Sequence, residues 1–345
     1  MQDEQNIAGK LVQECKYGEN AWQTPAGLYG AGSDDALSLE RFKVVAGTDP
    51  SYNNWAEVDR QLQTITHIAA GFEANGLPVP HIAVGTKHGN PCGAAFASNE
   101  VQAVQHMLMG DTRAIFGGLV MLNFAVTKEV ADTLVHYEME QGRRLLDGVS
   151  APSFSEDALE VLARKGGKCR CIANPALAEL GMATLDQAPR QRYIRGGFLY
   201  QPNYTYVLSL SEASNYDQLN DQQKTDLILA WGVGSTSNSN TITLVHDGQM
   251  IGNGVGQQDR VSCCELAIKR ARDGGHTGKL QGAAAYSDSF FPFPDGPGIL
   301  IDAGITTMFA TSGSVRDGEV QALCRDKGVV FCQLPDAQAR GFFGH

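Results

Sequence analysis

Thr86-Lys87-His88-Gly89-Asn90-Pro91-Cys92-Gly93-Ala94-Ala95 follows the apolar run Ile82-Ala83-Val84 and leads into a segment of small residues. The apolar run reads as a short buried strand, the Gly/Pro-broken stretch as a turn, and the small residues as the opening of a helix. A strand end feeding a turn and then a helix is where α/β proteins place their chemistry. This turn holds an imidazole, an ammonium group beside it and a carboxamide two residues on. The plain alternative is a solvated loop with a surface Lys-His pair, so the rest of the chain has to decide.

Working outward, Asn99 to Leu108 reads as a helix capped by Asn99, and Ala114 to Leu122 as a buried strand interrupted by glycines. Thr127 caps a helix to about Gln141, a short apolar segment ends in Asp147-Gly148-Val149-Ser150-Ala151-Pro152, and Glu156 to Arg164 is helical. Upstream, Val58, Leu62, Ile65, Ile68 and Ala69 recur at helical spacing between Val58 and Ala74, and residues 5–14 are compatible with a short helix. A second half opens near Gly196-Gly197-Phe198-Leu199-Tyr200. It carries a helix from Asp221 to about Val233, a hairpin around Asp247-Gly248, and a helix from Arg260 to Arg272. Strands at 283–289, 305–310 and 328–332 follow, with a helix from Gly318 to Lys327 before the last. This alternation makes the chain α/β.

The composition excludes several classes of function. The formal net charge is −11 and Lys/Arg blocks are absent, which argues against general nucleic-acid binding. No apolar run approaches a membrane span, and the polar start Met1-Gln2-Asp3-Glu4-Gln5-Asn6 is no secretory signal, so a cytoplasmic protein is expected. The eight cysteines form no CxxC and are read as reduced thiols; Cys92 is a packed thiol with no designated base nearby. A structural zinc site lacks its spacings. Gly252-Asn253-Gly254-Val255-Gly256-Gln257 has Gln where a dinucleotide fingerprint needs its last Gly.

Specific strings then accumulate in order. KYGEN (16–20), SYNN (51–54), KHGNPCGAA (87–95), IFGG (115–118) and DGVSAP (147–152) are followed by GGFLYQ (196–201), SNSNT (237–241), IGNGVGQQDR (251–260), SDSFFPFPDG (287–296) and SGSVRDGEV (312–320). Through them nearly the whole chain resembles the formyltransferase part of the bifunctional purine-biosynthesis enzyme AICAR transformylase/IMP cyclohydrolase. The cyclohydrolase part finds no counterpart, so a stand-alone formyltransferase is expected.

The resemblance implies two cytidine-deaminase-like three-layer α/β/α units, placed at 1–190 and 191–345, with segments that can exchange between them. It implies transfer of the formyl group of 10-formyltetrahydrofolate to the 5-amino group of the nucleotide AICAR. It also implies a homodimer with active sites at the interface, no catalytic metal, and in some relatives a monovalent cation such as potassium. Carried over by motif, Lys87, His88 and Asn240 are the catalytic set and Phe290 and Asp295 the folate-binding pair. Lys16, Tyr17, Asp147, Arg260 and Arg340 are the substrate-binding set, the arginines and Lys16 being candidates for phosphate or carboxylate contacts.

The chemistry of the residues agrees. The amine of AICAR is a weak nucleophile, so transfer needs its proton removed, a proton delivered to folate N10, and support for a tetrahedral oxyanion. A histidine serves both proton steps near neutral pH, and a carboxamide such as Asn240 orients the amine or the oxyanion. Asn240 has a structural alternative as a turn residue, Asp295 as the closer of the Pro294-Asp295-Gly296-Pro297 turn, and the Phe290, Phe291, Phe293 cluster as core.

Departures from the family pattern weaken or remove its basic groups. Lys16 stands for Arg, Trp22 for His, Gly232 and Ser235 for two lysines, and Pro294 for Arg; the C-terminal string at Arg340 has one extra residue. The proton-transfer set persists, which points to retained formyl transfer with an altered acceptor or a weaker grip on an anion. A non-catalytic folate- or nucleotide-binding paralogue is the alternative from another class. A zinc deaminase is disfavoured because the H-x-E and PCxxC patterns are missing.

Overall fold

The computed structural model describes residues 4–344; His345 and the first three residues lie outside them. The first half runs α1 (Tyr52–Ala74), β4 (His81–Lys87), β5 (Asn90–Ala97), α2 (Glu100–Leu108), β6 (Leu119–Leu122), α3 (Lys128–His136), β7 (Gly148–Ala151), α4 (Glu156–Leu162), β8 (Arg170–Ala173). The second half repeats this order: α5 (Asp221–Gly234), β11 (Ile242–His246), β12 (Gln249–Gly254), α6 (Arg260–Asp273), β13 (Ala284–Ser287), α7 (Asp295–Asp302), β14 (Thr307–Ser312), α8 (Asp317–Asp326), β15 (Val330–Pro335). Strands β1 (Lys10–Cys15), β2 (Ala26–Gly30) and β3 (Lys43–Ala46) precede them, and the hairpin of β9 (Arg190–Ile194) and β10 (Gly197–Gln201) lies between.

One 11-stranded sheet holds both halves in the order β15-β14-β13-β11-β12-β5-β4-β6-β7-β8-β3. Each half is a hairpin, a strand antiparallel to the hairpin's first member, then two parallel strands. They join where β12 meets β5, Gln249 opposite Ala95. The α/β three-layer class is therefore the observed one. One core, with Val58, Ile65, Ile82, Leu227, Trp231 and Phe309, lies under α1 and α5 and spans both halves. Separate cores under α2–α4 and under α6–α8 fill the opposite face.

Helix α1 begins at a capping box: Ser51 Oγ accepts from Asn54 N (3.2 Å) and Ser51 N donates to Asn54 Oδ1 (3.0 Å). It crosses α5 through glycines, since a Cβ on Gly71 would stand 2.9 Å from Ile228 and one on Gly232 2.6 Å from Ile68. The edge strand β15 is covered by segment 214–215, with Ser214 N on Gln333 O (3.1 Å) and Asn215 Nδ2 on Phe331 O (2.8 Å).

Three sequence expectations are corrected. Residues 10–15 form strand β1 against β2, so the helix at 5–14 is absent. Asn90–Ala97 continues as strand β5, not a helix, because His88 (φ 54°) and Gly89 (φ 72°) make a two-residue turn that returns the chain onto β4. Of 114–122 only Leu119–Leu122 is strand, since Gly117 at φ 69° turns the chain just before it.

Candidate active site

The sheet directions bring the candidate residues to one end. There β4 ends at Lys87, β5 starts at Asn90, β12 ends at Gly254, β11 starts at Ile242 and β13 ends at Ser287. On the other side of β4, Leu119 and Gly148 open β6 and β7 at that same end.

His88 stands exposed at the tip of the β4–β5 hairpin. A non-glycine residue in the left-handed region costs about 1–2 kcal/mol, and such outliers gather at functional sites. Gly89 N donates to Glu57 Oε1 (2.8 Å) and Asn90 Nδ2 to His88 O (3.2 Å), which hold the tip. Lys87 is half-buried and its ammonium donates to Phe116 O.

Two cavities flank this pair. One of about 660 Å3 is lined by Lys87, His88, Asn53, Glu57, Arg60 and Asp147, among others. The other, about 230 Å3, lies against Lys87, His88, Asn90, Asp111, Asn253 and Arg270. Asp147 reaches the larger cavity and accepts from Arg164 (3.3 Å). Lys16 is exposed and Tyr17 half-buried just before Glu19, which borders that cavity and whose carbonyl accepts from Asn53 (3.3 Å).

Asn240 belongs to a loop that folds back toward the hairpin, Asn238 N donating to Asn90 Oδ1 (3.4 Å), while from the end of β12 Asn253 Nδ2 donates to Pro91 O (3.2 Å). The Asn240 amide donates to Gln257 O (2.8 Å) and its Oδ1 accepts from Arg260 (2.9 Å). Arg260 is turned inward onto the fully buried Asp288, with a further bond to Thr241 O (3.2 Å). Its guanidinium thus shapes the Asn240 loop. Ser239 Oγ (2.6 Å) and Thr241 N (3.1 Å) complete the cage around Asp288.

Phe290, Asp295 and Arg340 follow the C-terminal ends of β13 and β15, across β11 and β12 from the hairpin. Phe290 is half-buried with the Arg340 guanidinium 5.9 Å from its ring centroid, while Arg340 clasps Asp336 at 2.7 and 3.1 Å. Asp295 is exposed at the start of α7 and accepts from Gly296 N (2.7 Å).

The positions of the missing lysines are closed. A Cβ on Gly232 would stand 3.0 Å from Ile68 Cα, and Ser235 is fully buried, its Cβ 2.9 Å from the place a Cβ on Gly341 would take. Burial pushes the Cys92 thiol up to about 12, in keeping with a packed group. Among the described residues, no three His, Cys, Asp or Glu side chains are placed to hold a metal ion, and no helix is long and apolar enough to cross a membrane.

Sequence reasoning passed over Glu57, Arg60, Asp288 and Phe343. Asp288 lay inside the SDSFFPFPDG string and Phe343 inside the C-terminal string that begins at Arg340; for Glu57 and Arg60 no local signal exists.

Residues 1–270 match the model of the AICARFT/IMPCHase bienzyme family. Relatives called "Bifunctional purine biosynthesis protein PurH" are 33% identical over 93% of this chain in Cutibacterium acnes and 31% over 92% in Neisseria meningitidis. The chain spans 57% and 56% of those two proteins, little more than half their length. A solved diaminohydroxyphosphoribosylaminopyrimidine deaminase/reductase from Thermotoga maritima aligns with 32% of this chain and 36% of its own at 20% identity, with a TM-score of 0.23. With its family model covering most of its length and its relatives matching nearly all of it, this chain belongs to the AICARFT/IMPCHase bienzyme family.

Proposed function

We propose that the chain transfers the formyl group of 10-formyltetrahydrofolate to the 5-amino group of AICAR, with His88 as the proton-transfer group. The observation that carries this reading is the placement of His88: exposed at a strained hairpin tip, between two cavities, and hydrogen-bonded through Asn90 to the Asn240 loop. In this reading His88 removes a proton from the amine and returns one to folate N10. Lys87 supplies positive potential beside it, and Asn240, oriented by Arg260, supports the oxyanion. The larger cavity takes the nucleotide, with Asp147 on its wall and Lys16 and Tyr17 beside it. Phe290 and Asp295 contribute to a folate pocket, with Arg340 beside them. The working assembly is a homodimer; the exposed Tyr193, Leu199 and Tyr200 of the β9–β10 hairpin support an interface there. A monovalent cation such as potassium stays part of the proposal.

Purified protein given 10-formyltetrahydrofolate and AICAR should release tetrahydrofolate, followed by absorbance. His88→Ala should lower turnover by about 10²–10⁴-fold, the usual span of general acid–base catalysis. Folate binding without turnover would refute AICAR as the acceptor, and binding of neither ligand would refute the assignment.

A second reading, the same chemistry on a related amino-imidazole or another amine, is favoured by the closed space at Gly232 and Ser235. Comparing AICAR with its dephosphorylated nucleoside discriminates the two: equal rates favour the altered acceptor.

A further inference from the structure

The Arg60 side chain leaves α1 and meets three parts of the site at once. Its Nε donates to Gly89 O (2.9 Å), in the turn that carries His88. Nη2 donates to Thr236 O (2.8 Å), at the start of the loop that carries Asn240. The guanidinium lies over the Phe343 ring, 3.7 Å from its centroid, and Arg190 covers the other face at 3.5 Å. Arg190 also donates to Phe343 O (2.6 Å).

Phe343 is itself tied to the same loop. Its amide donates to Ser237 O (3.0 Å), and Ser239 N donates to Gly344 O (3.0 Å). The C-terminal segment therefore runs along residues 237–239 as an added strand-like edge. One helical turn before Arg60, Glu57 holds the Gly89 amide, so α1 grips that peptide unit's neighbourhood from donor and acceptor sides.

We propose that Arg60 is a positioning residue that sets the His88 turn and the Asn240 loop in one register, with Phe343 as the lock on its guanidinium. The proposal rests on the formyl-transfer reading for its kinetic consequence only. Two carbonyls from the two halves of the chain are held by one planar fork, so neither loop can shift without breaking a charge-assisted bond. Lysine cannot reproduce this, because a single ammonium lacks the rigid geometry that spans both oxygens. Stacking between two guanidinium planes adds the cation–π attraction that fixes the fork's orientation.

The test uses Arg60→Met, Arg60→Lys, Phe343→Ala and Phe343→Tyr in the full chain, each checked for an unchanged far-ultraviolet circular dichroism spectrum. Hydrogen exchange, which needs no substrate, should speed up at least tenfold at residues 88–90 and 236–240 together in Arg60→Met and in Phe343→Ala. Phe343→Tyr keeps the ring and should restore slow exchange. In turnover with 10-formyltetrahydrofolate and AICAR, Arg60→Met should lower kcat about 100-fold, the cost of about 1 Å of misplacement, with KM changed less than threefold. Arg60→Lys should recover less than tenfold of that loss. Should Arg60→Met not fold, the Phe343 pair carries the test alone. Exchange that stays slow, or that rises in one loop without the other, would overturn the proposal. Coupled exchange in a protein that turns over neither substrate would support it while refuting the formyl-transfer reading.

Discussion

Gly232→Ala is a small substitution for which two effects of known size oppose each other. In an α-helix interior, alanine is favoured over glycine by about 1 kcal/mol through reduced backbone entropy loss. At Gly232 the added methyl would stand 2.6 Å from Ile68 Cγ1, 3.0 Å from Ile68 Cα and 3.1 Å from Ile68 N. Carbon contacts settle near 3.5–4.0 Å, so α1 and α5 must separate by about 1 Å. Two of the three atoms are backbone, which no rotamer change can move. Overpacking of this kind costs about 1–3 kcal/mol, and the parting helices also loosen the close packing of Gly71 against Trp231. The overpacking term wins, and a net loss of about 1–2 kcal/mol is expected. Urea denaturation followed by circular dichroism should show a lower midpoint with an unchanged slope. Gly318→Ala is the control: Gly318 lies in α8 with nothing within 4 Å of its would-be Cβ, so the same change should be neutral or stabilising by up to about 1 kcal/mol. If Gly232→Ala stabilised like Gly318→Ala, the close helix contact, and with it the explanation for the missing lysine, would be refuted.

Two further outcomes follow from buried groups. His67 is buried between Tyr204 and Trp231, and desolvation lowers its pKa from the ordinary 6.5 to about 4. The unfolded chain therefore binds the proton first, so this stability is intact above pH 6.5 and lost as pH falls toward 4, by about 3 kcal/mol in full. Urea midpoints measured from pH 7 to 4.5 should fall less steeply in His67→Phe than in the parent, and parallel curves would contradict this. Arg260→Met leaves the Asp288 carboxylate buried without its cation and should cost about 3–5 kcal/mol. Adding Asp288→Asn should return part of that loss in thermal unfolding, whereas a double variant no more stable than the single one would show that the pair is not the cause.

The hydrophobic periods that mark helices and strands survive in almost every core element, because those elements bury one face and the pattern records it. Helix α3 is an example, burying Val130, Ala131, Leu134 and Val135 on one face; α5, buried all round from Asp226 to Gly234, has no such period, and the Asp247-Gly248 hairpin was legible because Asp247 (φ 49°) and Gly248 (φ 71°) take the turn that an Asp-Gly pair favours. The His88-Gly89 turn has the same geometry but a less usual first residue, so it reads as a loop before a helix. The start of α1 at Tyr52 was also hidden, because asparagine stands where the capping box usually has Glu or Gln. Of the candidate site, Lys87, His88 and Asn240 were legible as motif residues. The direction in which Arg260 points was not, since burial beside Asp288 is a tertiary property 28 positions away. Arg60 was least legible of all: in a helical pattern it is one polar residue, and its partners lie 29 and 176 positions off.

How the two halves meet explains why such long-range contacts matter here. Between β12 and β5 the ladder contains one residue pair, Gln249 with Ala95, supplemented by Phe96 N on Gly248 O (3.0 Å) and Gln249 Nε2 on His106 O (2.9 Å). All of these lie at the end of the seam away from His88. At the site end, side chains take over: Asn253 on Pro91, Asn90 with Asn238, and Arg60 across Gly89 and Thr236. The same helix that carries Arg60 packs through Ile68 and Gly71 onto α5, which in turn leads into Thr236 and the Asn240 loop. Moving α5 away from α1 therefore moves Thr236 away from Arg60. A methyl group at Gly232, buried in the helix layer, should on this account loosen exchange at residues 236–240 as well as lower stability, because packing and positioning run through one pair of helices.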